Sequence, residues 1–185
     1  GRPAFGMEIK IVDDDGKSLP HDGVAFGKLM ARGPRVIERY YKADKSALDS
    51  NGWFDTGDVS TIDENGFMQI TDRAKDIIKS GGEWISSVDI ENSAVRHPEV
   101  QIAACLGVKH AKWEERPLLI VVKKEGFNPT KKSIVDVIAQ EHAKWQLPDE
   151  IVFIDEMPLT ATGKIDKKPL RIKFNNFLII GEINE

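Results

Sequence analysis

Two periodicities share this chain, and the change from one to the other limits what it can fold into. Met7-Glu8-Ile9-Lys10-Ile11 alternates apolar and polar side chains with the two-residue period of a half-exposed strand. Asp15-Gly16 follows as a turn, residues 24–31 are a second strand, and Gly33-Pro34 closes it. A short helix is expected over 43–48, then a turn at Asn51-Gly52. Residues 59–62 and 67–70 flank Asn65-Gly66, a hairpin signal. Beyond Asp72 the pattern changes. Ser86, with Asp89 three residues on, predicts a capped helix to about Arg96, and His97-Pro98 ends it. Apolar runs at 102–108 and 118–122 are strands. Thr130 caps a helix through His142, with Ile134, Val135, Ile138 and Ala139 on one face. Residues 151–154 are a strand, and Asp166 caps a last helix that tolerates Pro169 in its first turn. The predicted class is α+β, a β-rich part followed by a small α/β unit. Glycine pairs punctuate, so local signals put the boundary at Gly81-Gly82.

A length of 185 residues allows one ordinary domain or two small ones. The net charge of −4 argues against a general nucleic-acid binder. One cysteine, Cys105, rules out an internal disulfide; in its apolar run it reads as a small buried hydrophobe, which fits a reducing, cytoplasmic setting. No apolar run approaches the ~20 residues of a membrane span. The start, Gly1-Arg2-Pro3-Ala4-Phe5-Gly6, has neither an apolar signal segment nor an initiator Met, so a piece of a longer chain is expected.

Four places carry candidate chemistry. Trp53-Phe54-Asp55-Thr56-Gly57-Asp58 sets two carboxylates around a glycine turn, and Asp58 could accept from vicinal hydroxyls or simply cap the turn. Asp72-Arg73-Ala74-Lys75-Asp76 is a charged cluster or a solvated connection. Gly81-Gly82 lets a ligand pass close to backbone, or makes a tight turn. Lys164, on a Thr-Gly loop ahead of a helix, offers a flexible positive charge, or is one more lysine in a Lys-rich tail. His21, His97, His110 and His142 lack ligand spacing, so no metal site is expected. Neither a G-x-S-x-G elbow nor a G-x-x-x-x-G-K-[ST] phosphate loop is present.

The order of these pieces resembles the C-terminal third of the adenylate-forming (ANL) superfamily of acyl-CoA synthetases, adenylation domains and luciferases. Trp53 to Asp58 resembles its W-x-x-T-G-D motif. Arg73 to Asp76, Gly81-Gly82-Glu83 and Ile90-Glu91 resemble its R-x-K/D-D…G-G-E…I-E signature, and Pro158 to Lys164 its P-x-T-x-T-G-K. Gly81-Gly82-Glu83-Trp84-Ile85-Ser86-Ser87, with the Trp113 and Trp145 segments, is most similar to bacterial medium-chain fatty-acyl-CoA and methylthiopropionyl-CoA ligases.

The resemblance moves the boundary. It implies a partial distal β subdomain over 1–74 and a mobile cap over 75–185, with Lys75 as hinge. It implies ATP, with Mg2+ held mainly by an upstream part, coenzyme A and a carboxylic acid as the molecules handled. Asp58 and Arg73 would hold the nucleotide, and Lys164 would act catalytically while the acyl-adenylate forms. Gly81, Gly82, Glu83 and Trp113 would line the coenzyme A path after the cap turns. Leu147-Pro148-Asp149-Glu150 departs from the basic residues relatives carry there, which puts a phosphate grip in doubt. The chain alone is expected to be inactive without the rest of the protein. Two alternatives are a non-catalytic nucleotide- or CoA-binding or docking module, and an adenylation domain that loads a carrier protein. The tail at 174–181 is more apolar than the family pattern, as a cover or an exposed patch.

Overall fold

Residues 1–177 are described by a computed structural model of mixed α/β character, which divides after Lys75 into the units Gly1–Lys75 and Asp76–Glu185. The first unit holds four antiparallel strands in sequence order: β1 (Glu8–Val12), β2 (Phe26–Arg32), β3 (Phe54–Ile62) and β4 (Met68–Arg73). Ile11 and Leu29 are cross-strand partners and both are buried, as are Val59 and Ile62 of β3. The Asn65-Gly66 turn is closed by the Asp63 carboxylate, which accepts from Asn65 N at 2.9 Å and Phe67 N at 2.8 Å.

Two expectations in this unit fail. No helix forms over 43–48. The Glu38 carbonyl takes the Ser46 hydroxyl (3.2 Å) and the Ala47 N–H (2.8 Å), and Ser46 Oγ accepts from Leu48 N at 3.0 Å. A serine that satisfies nearby backbone in this way competes with the helix. The second failure is the glycine turn before Asp58. The pairing moves from Met30–Asp55 to Lys28–Val59, so Thr56, Gly57 and Asp58 bulge within β3 opposite Leu29. Gly57 supplies the positive φ of 73° that the bulge requires.

Ser60 lies 0% exposed in this core, and its Oγ has no hydrogen-bond partner among the described residues. A buried hydroxyl without a partner costs about 1–3 kcal/mol. Ser60→Ala therefore stabilises the first unit by about 1 kcal/mol in chemical denaturation. A loss of stability would show that the hydroxyl has a partner.

The second unit is built on a five-stranded sheet of β5 (Ile78–Ser80), β6 (Glu83–Ile85), β7 (Val100–His110), β8 (Glu114–Lys123) and β9 (Glu150–Phe153). The path is β6-β5-β8-β7, with β9 parallel to β8. β8 alternates perfectly between two cores. Leu119 and Val121 pack with Ile90 of α1 (Ser87–Ala94) and Ile134 and Ile138 of α2 (Lys131–Ile138). Leu118 and Ile120 pack on the other face with Met157 and with Leu170 of α3 (Lys167–Lys173). Cys105 is buried, as its apolar run predicts.

The three predicted caps form. Ser86 Oγ accepts from Asp89 N at 3.2 Å, Thr130 Oγ1 from Ser133 N at 3.0 Å, and Asp166 Oδ1 from Lys168 N at 3.0 Å. Two helices stop short of their predicted ends. α1 tightens after Ala94, where His97 N bonds the Ala94 carbonyl at 3.1 Å. α2 ends at Ile138, and Glu141 and His142 serve α1 instead: His142 Nε2 lies 2.9 Å from Ser93 Oγ, and Glu141 pairs with Arg96. Gly81-Gly82 is no boundary. It is the turn of the β5–β6 hairpin, at φ of 62° and 86°. Phe174 and Phe177 pack on the second core at 6.0 Å between ring centroids. The rest of the apolar tail, from Leu178, lies outside the described residues. Among the described residues no helix is long and apolar enough to cross a membrane.

Candidate functional site

The bulge in β3 fixes the first candidate group. Asp58 and Arg73 are cross-strand partners, and Arg73 Nε lies 3.1 Å from Asp58 Oδ1. The bulge is held from several sides. Thr56 Oγ1 donates to the Leu29 carbonyl at 2.9 Å and accepts from Asp58 N at 3.2 Å. Asp55 Oδ1 accepts from Gly57 N at 2.8 Å, and the Gly57 carbonyl from Ala74 N at 2.9 Å. The Asp58 side chain is one-fifth exposed. Such a carboxylate can take hydrogen bonds from neighbouring hydroxyls.

The approach to this bulge is also organised by a carboxylate. Asp49 Oδ1 accepts from Asn51 N and Trp53 N, each at 2.8 Å. Lys10 Nζ and Arg32 Cζ each lie 4.5 Å from the Trp53 ring centroid. The Trp53 N–H, then the Asn51 N–H, hold the Asp49 carboxyl below its ordinary value of 3.8. Its contribution to stability is complete above that value and is lost as the pH falls below it. Asp49→Asn keeps an acceptor and loses the charge. The stability gap between wild type and Asp49→Asn therefore closes in acid, as chemical denaturation across pH reads directly. A gap that widens in acid contradicts the assignment.

The second group joins Gly81 to Trp113. Gly81 N donates to the Trp113 carbonyl at 2.9 Å, and a Cβ added at Gly81 would sit 2.8 Å from Trp113 Cε3. Glycine is therefore required by contact as well as by φ. Gly82 is open, with nothing within 4 Å of an added Cβ. Glu83 is exposed and pairs with Ser80 at the start of β6. Trp113 is 41% exposed, its N–H bonds His110 Nδ1 at 3.1 Å, and Lys112 Nζ lies 4.5 Å from its ring centroid.

The third group is the Lys164 loop. Thr160 N bonds the Lys164 carbonyl at 2.7 Å, Gly163 N bonds Thr160 O at 2.9 Å, and Lys164 N bonds Thr160 Oγ1 at 3.2 Å. Gly163 closes the loop at φ of 79°. Lys164 is exposed and makes no ion pair among the described residues. Lys75, at the end of the first unit, is exposed too. Among the described residues no three His, Cys, Asp or Glu side chains stand together as a metal site.

Two groups escape sequence reasoning. Arg116 is 8% exposed and bonds Ser80, Trp145, Leu147 and Asp149. Lys167 pairs with Glu91 at 2.6 Å, with side chains 10% and 13% exposed. The available signal for the first is a charge just ahead of an apolar strand; Lys167 is hidden in a lysine-rich run.

The AMP-binding enzyme C-terminal domain profile matches residues 89–164. The 3-methylmercaptopropionyl-CoA ligase of Ruegeria lacuscaerulensis is 55% identical over 96% of this chain and 33% of its own length. The medium-chain-fatty-acid–CoA ligase of Ectopseudomonas oleovorans is 51% identical over 97% of this chain and 33% of its own length. The crystal structure of ATP-bound MatB from Rhodopseudomonas palustris superposes with a TM-score of 0.84 at 28% identity, covering 95% of this chain and 35% of that one. The chain thus spans about a third of the length of the relatives it matches. With this agreement along nearly all its length, the chain is similar to CoA ligases and to the adenylate-forming enzymes of known structure, and residues 89–164 match an AMP-binding enzyme C-terminal domain.

Proposed function

We propose that this chain is the C-terminal part of an AMP-forming acid–thiol ligase that activates a carboxylic acid, in the range of medium-chain fatty acids and methylthiopropionate, and passes it to coenzyme A. The observation that carries this reading is Lys164: an exposed ammonium group on a loop closed by its own hydrogen bonds, in a chain that matches CoA ligases along 96% of its length.

The residues fit a nucleotide in part. Asp58 offers a part-exposed carboxylate to ribose hydroxyls, and Arg73 holds that carboxylate in place. Lys164 neutralises charge that builds on the phosphate and carboxylate oxygens as acid and ATP become acyl-adenylate and pyrophosphate. The triphosphate loop and the Mg2+ ligands belong to the upstream part of the protein. Lys75 is the hinge between residues 1–74 and the cap at 75–185, and it absorbs the backbone change as the cap turns. After that turn the Gly81-Gly82 turn, Glu83 and Trp113 face the pantetheine arm, where bare backbone leaves it room. We place the protein in the cytoplasm, a reducing compartment that fits a chain with one cysteine, the buried Cys105.

The full-length protein, given ATP, coenzyme A and a panel of short- to medium-chain acids including 3-methylthiopropionate, releases AMP and pyrophosphate and forms a thioester. Release of ADP, or activation without thioester formation, overturns the reading. The 185-residue chain alone does not exchange pyrophosphate into ATP.

A further inference from the structure

We propose that Arg116 is a positioning residue: one buried guanidinium sets the Gly81-Gly82 turn and Trp113 in register with the Trp145 segment. The inference rests on the thiol-transfer reading above and goes beyond it. It concerns a residue that touches no substrate.

One edge of β8 is shared. β5 pairs with β8 at Ser80 and Glu114, with the Glu115 carboxylate accepting from Lys79 N at 3.0 Å, and β9 pairs with β8 from Leu118 onward. Arg116 fills the junction. Its Nε donates to Asp149 Oδ2 at 2.8 Å and its Nη2 to Asp149 Oδ1 at 2.5 Å. Nη2 also donates to the Leu147 carbonyl at 3.1 Å, and Nη1 donates to the Trp145 carbonyl at 2.5 Å and to Ser80 Oγ at 3.1 Å. The planar fork thus ties residue 80, next to the glycine turn, to the 3-10 turn Lys144–Gln146 and the residues after it. Gly81 in turn seats Trp113. Trp113 and Trp145 are 41% and 44% exposed, so both indoles keep a face for a ligand ring.

The same contacts answer the acidic departure at 147–150. Asp149 is neutralised by Arg116, and Glu150 pairs with Lys131. Neither carboxylate stands bare beside a phosphate. A lysine at 116 would keep the charge but could not reach four partners in a plane.

Amide hydrogen exchange on the 185-residue chain and steady-state kinetics on the full-length protein test this together. Arg116→Lys speeds exchange about tenfold at Gly81, Gln146 and Asp149, and leaves Cys105 in β7 within about twofold. In the full-length protein it raises the KM for coenzyme A about tenfold, with the KM for ATP within about twofold. Arg116→Met/Asp149→Leu is charge-neutral and has no tie, so it shows the same KM change; full recovery would reduce Arg116 to a counter-charge and overturn the proposal. Exchange that rises evenly across the second unit, or not at all at Gly81, also overturns it. So does local loosening with an unchanged KM for coenzyme A. If unaltered full-length protein makes no thioester, the ligase reading fails, while the exchange pattern still decides whether Arg116 holds the turn.

Discussion

Lys164→Ala lowers the ATP-dependent activation of the acid by about 100- to 1,000-fold, the scale of losing one aimed donor to developing charge. The loop that carries Lys164 does not depend on its side chain. It is closed by Thr160 N to Lys164 O, Gly163 N to Thr160 O and Lys164 N to Thr160 Oγ1, all of which survive truncation. The exposed side chain makes no ion pair among the described residues, so stability stays within about 0.5 kcal/mol. Lys164→Arg, which keeps a charge of different shape, recovers part of the rate. Pyrophosphate exchange by full-length variants reads the effect. A loss below about tenfold would remove Lys164 from the chemistry.

The largest expected loss of stability lies three residues further on. Lys167→Met costs about 3–5 kcal/mol in chemical denaturation, because it leaves Glu91 nearly buried without its counter-charge. Glu91 Oε1 accepts from Lys167 Nζ and, at 2.7 Å, from Cys105 N, while Lys167 Nζ also donates to Ser87 Oγ at 2.7 Å. One ion pair thus joins the start of α3, on one face of the sheet, to α1 on the other. Arg171 makes a second tie from α3 to Asp76. Lys167→Met/Glu91→Gln removes both charges and keeps an oxygen for the Cys105 N–H, so it regains most of the loss. A single variant that loses under about 1 kcal/mol would mean that water solvates Glu91.

What could be read from the sequence was local. Ser86, Thr130 and Asp166 cap helices because each side chain reaches a backbone N–H two or three residues on. The Asn65-Gly66 hairpin and the apolar strands 102–108 and 118–122 follow from turn chemistry and hydrophobic runs in the same way. What failed was decided by partners far along the chain or across a sheet. The helix expected at 43–48 lost to the Glu38 carbonyl, and the glycine turn before Asp58 became a bulge because β2 pairs on both sides of it. The Gly81-Gly82 pair punctuates a hairpin, since glycine marks any sharp turn and not a division between units. Arg116 was out of reach, because its partners sit at 80, 145, 147 and 149.

Under the proposed function, Lys164 serves one half-reaction and leaves for the other. Pre-formed acyl-adenylate, mixed with coenzyme A and full-length Lys164→Ala protein in a single turnover, isolates the second. Thioester forms within about twofold of the unaltered rate if the ammonium group has left the site by then. A loss as large as that in the activation step would contradict the account.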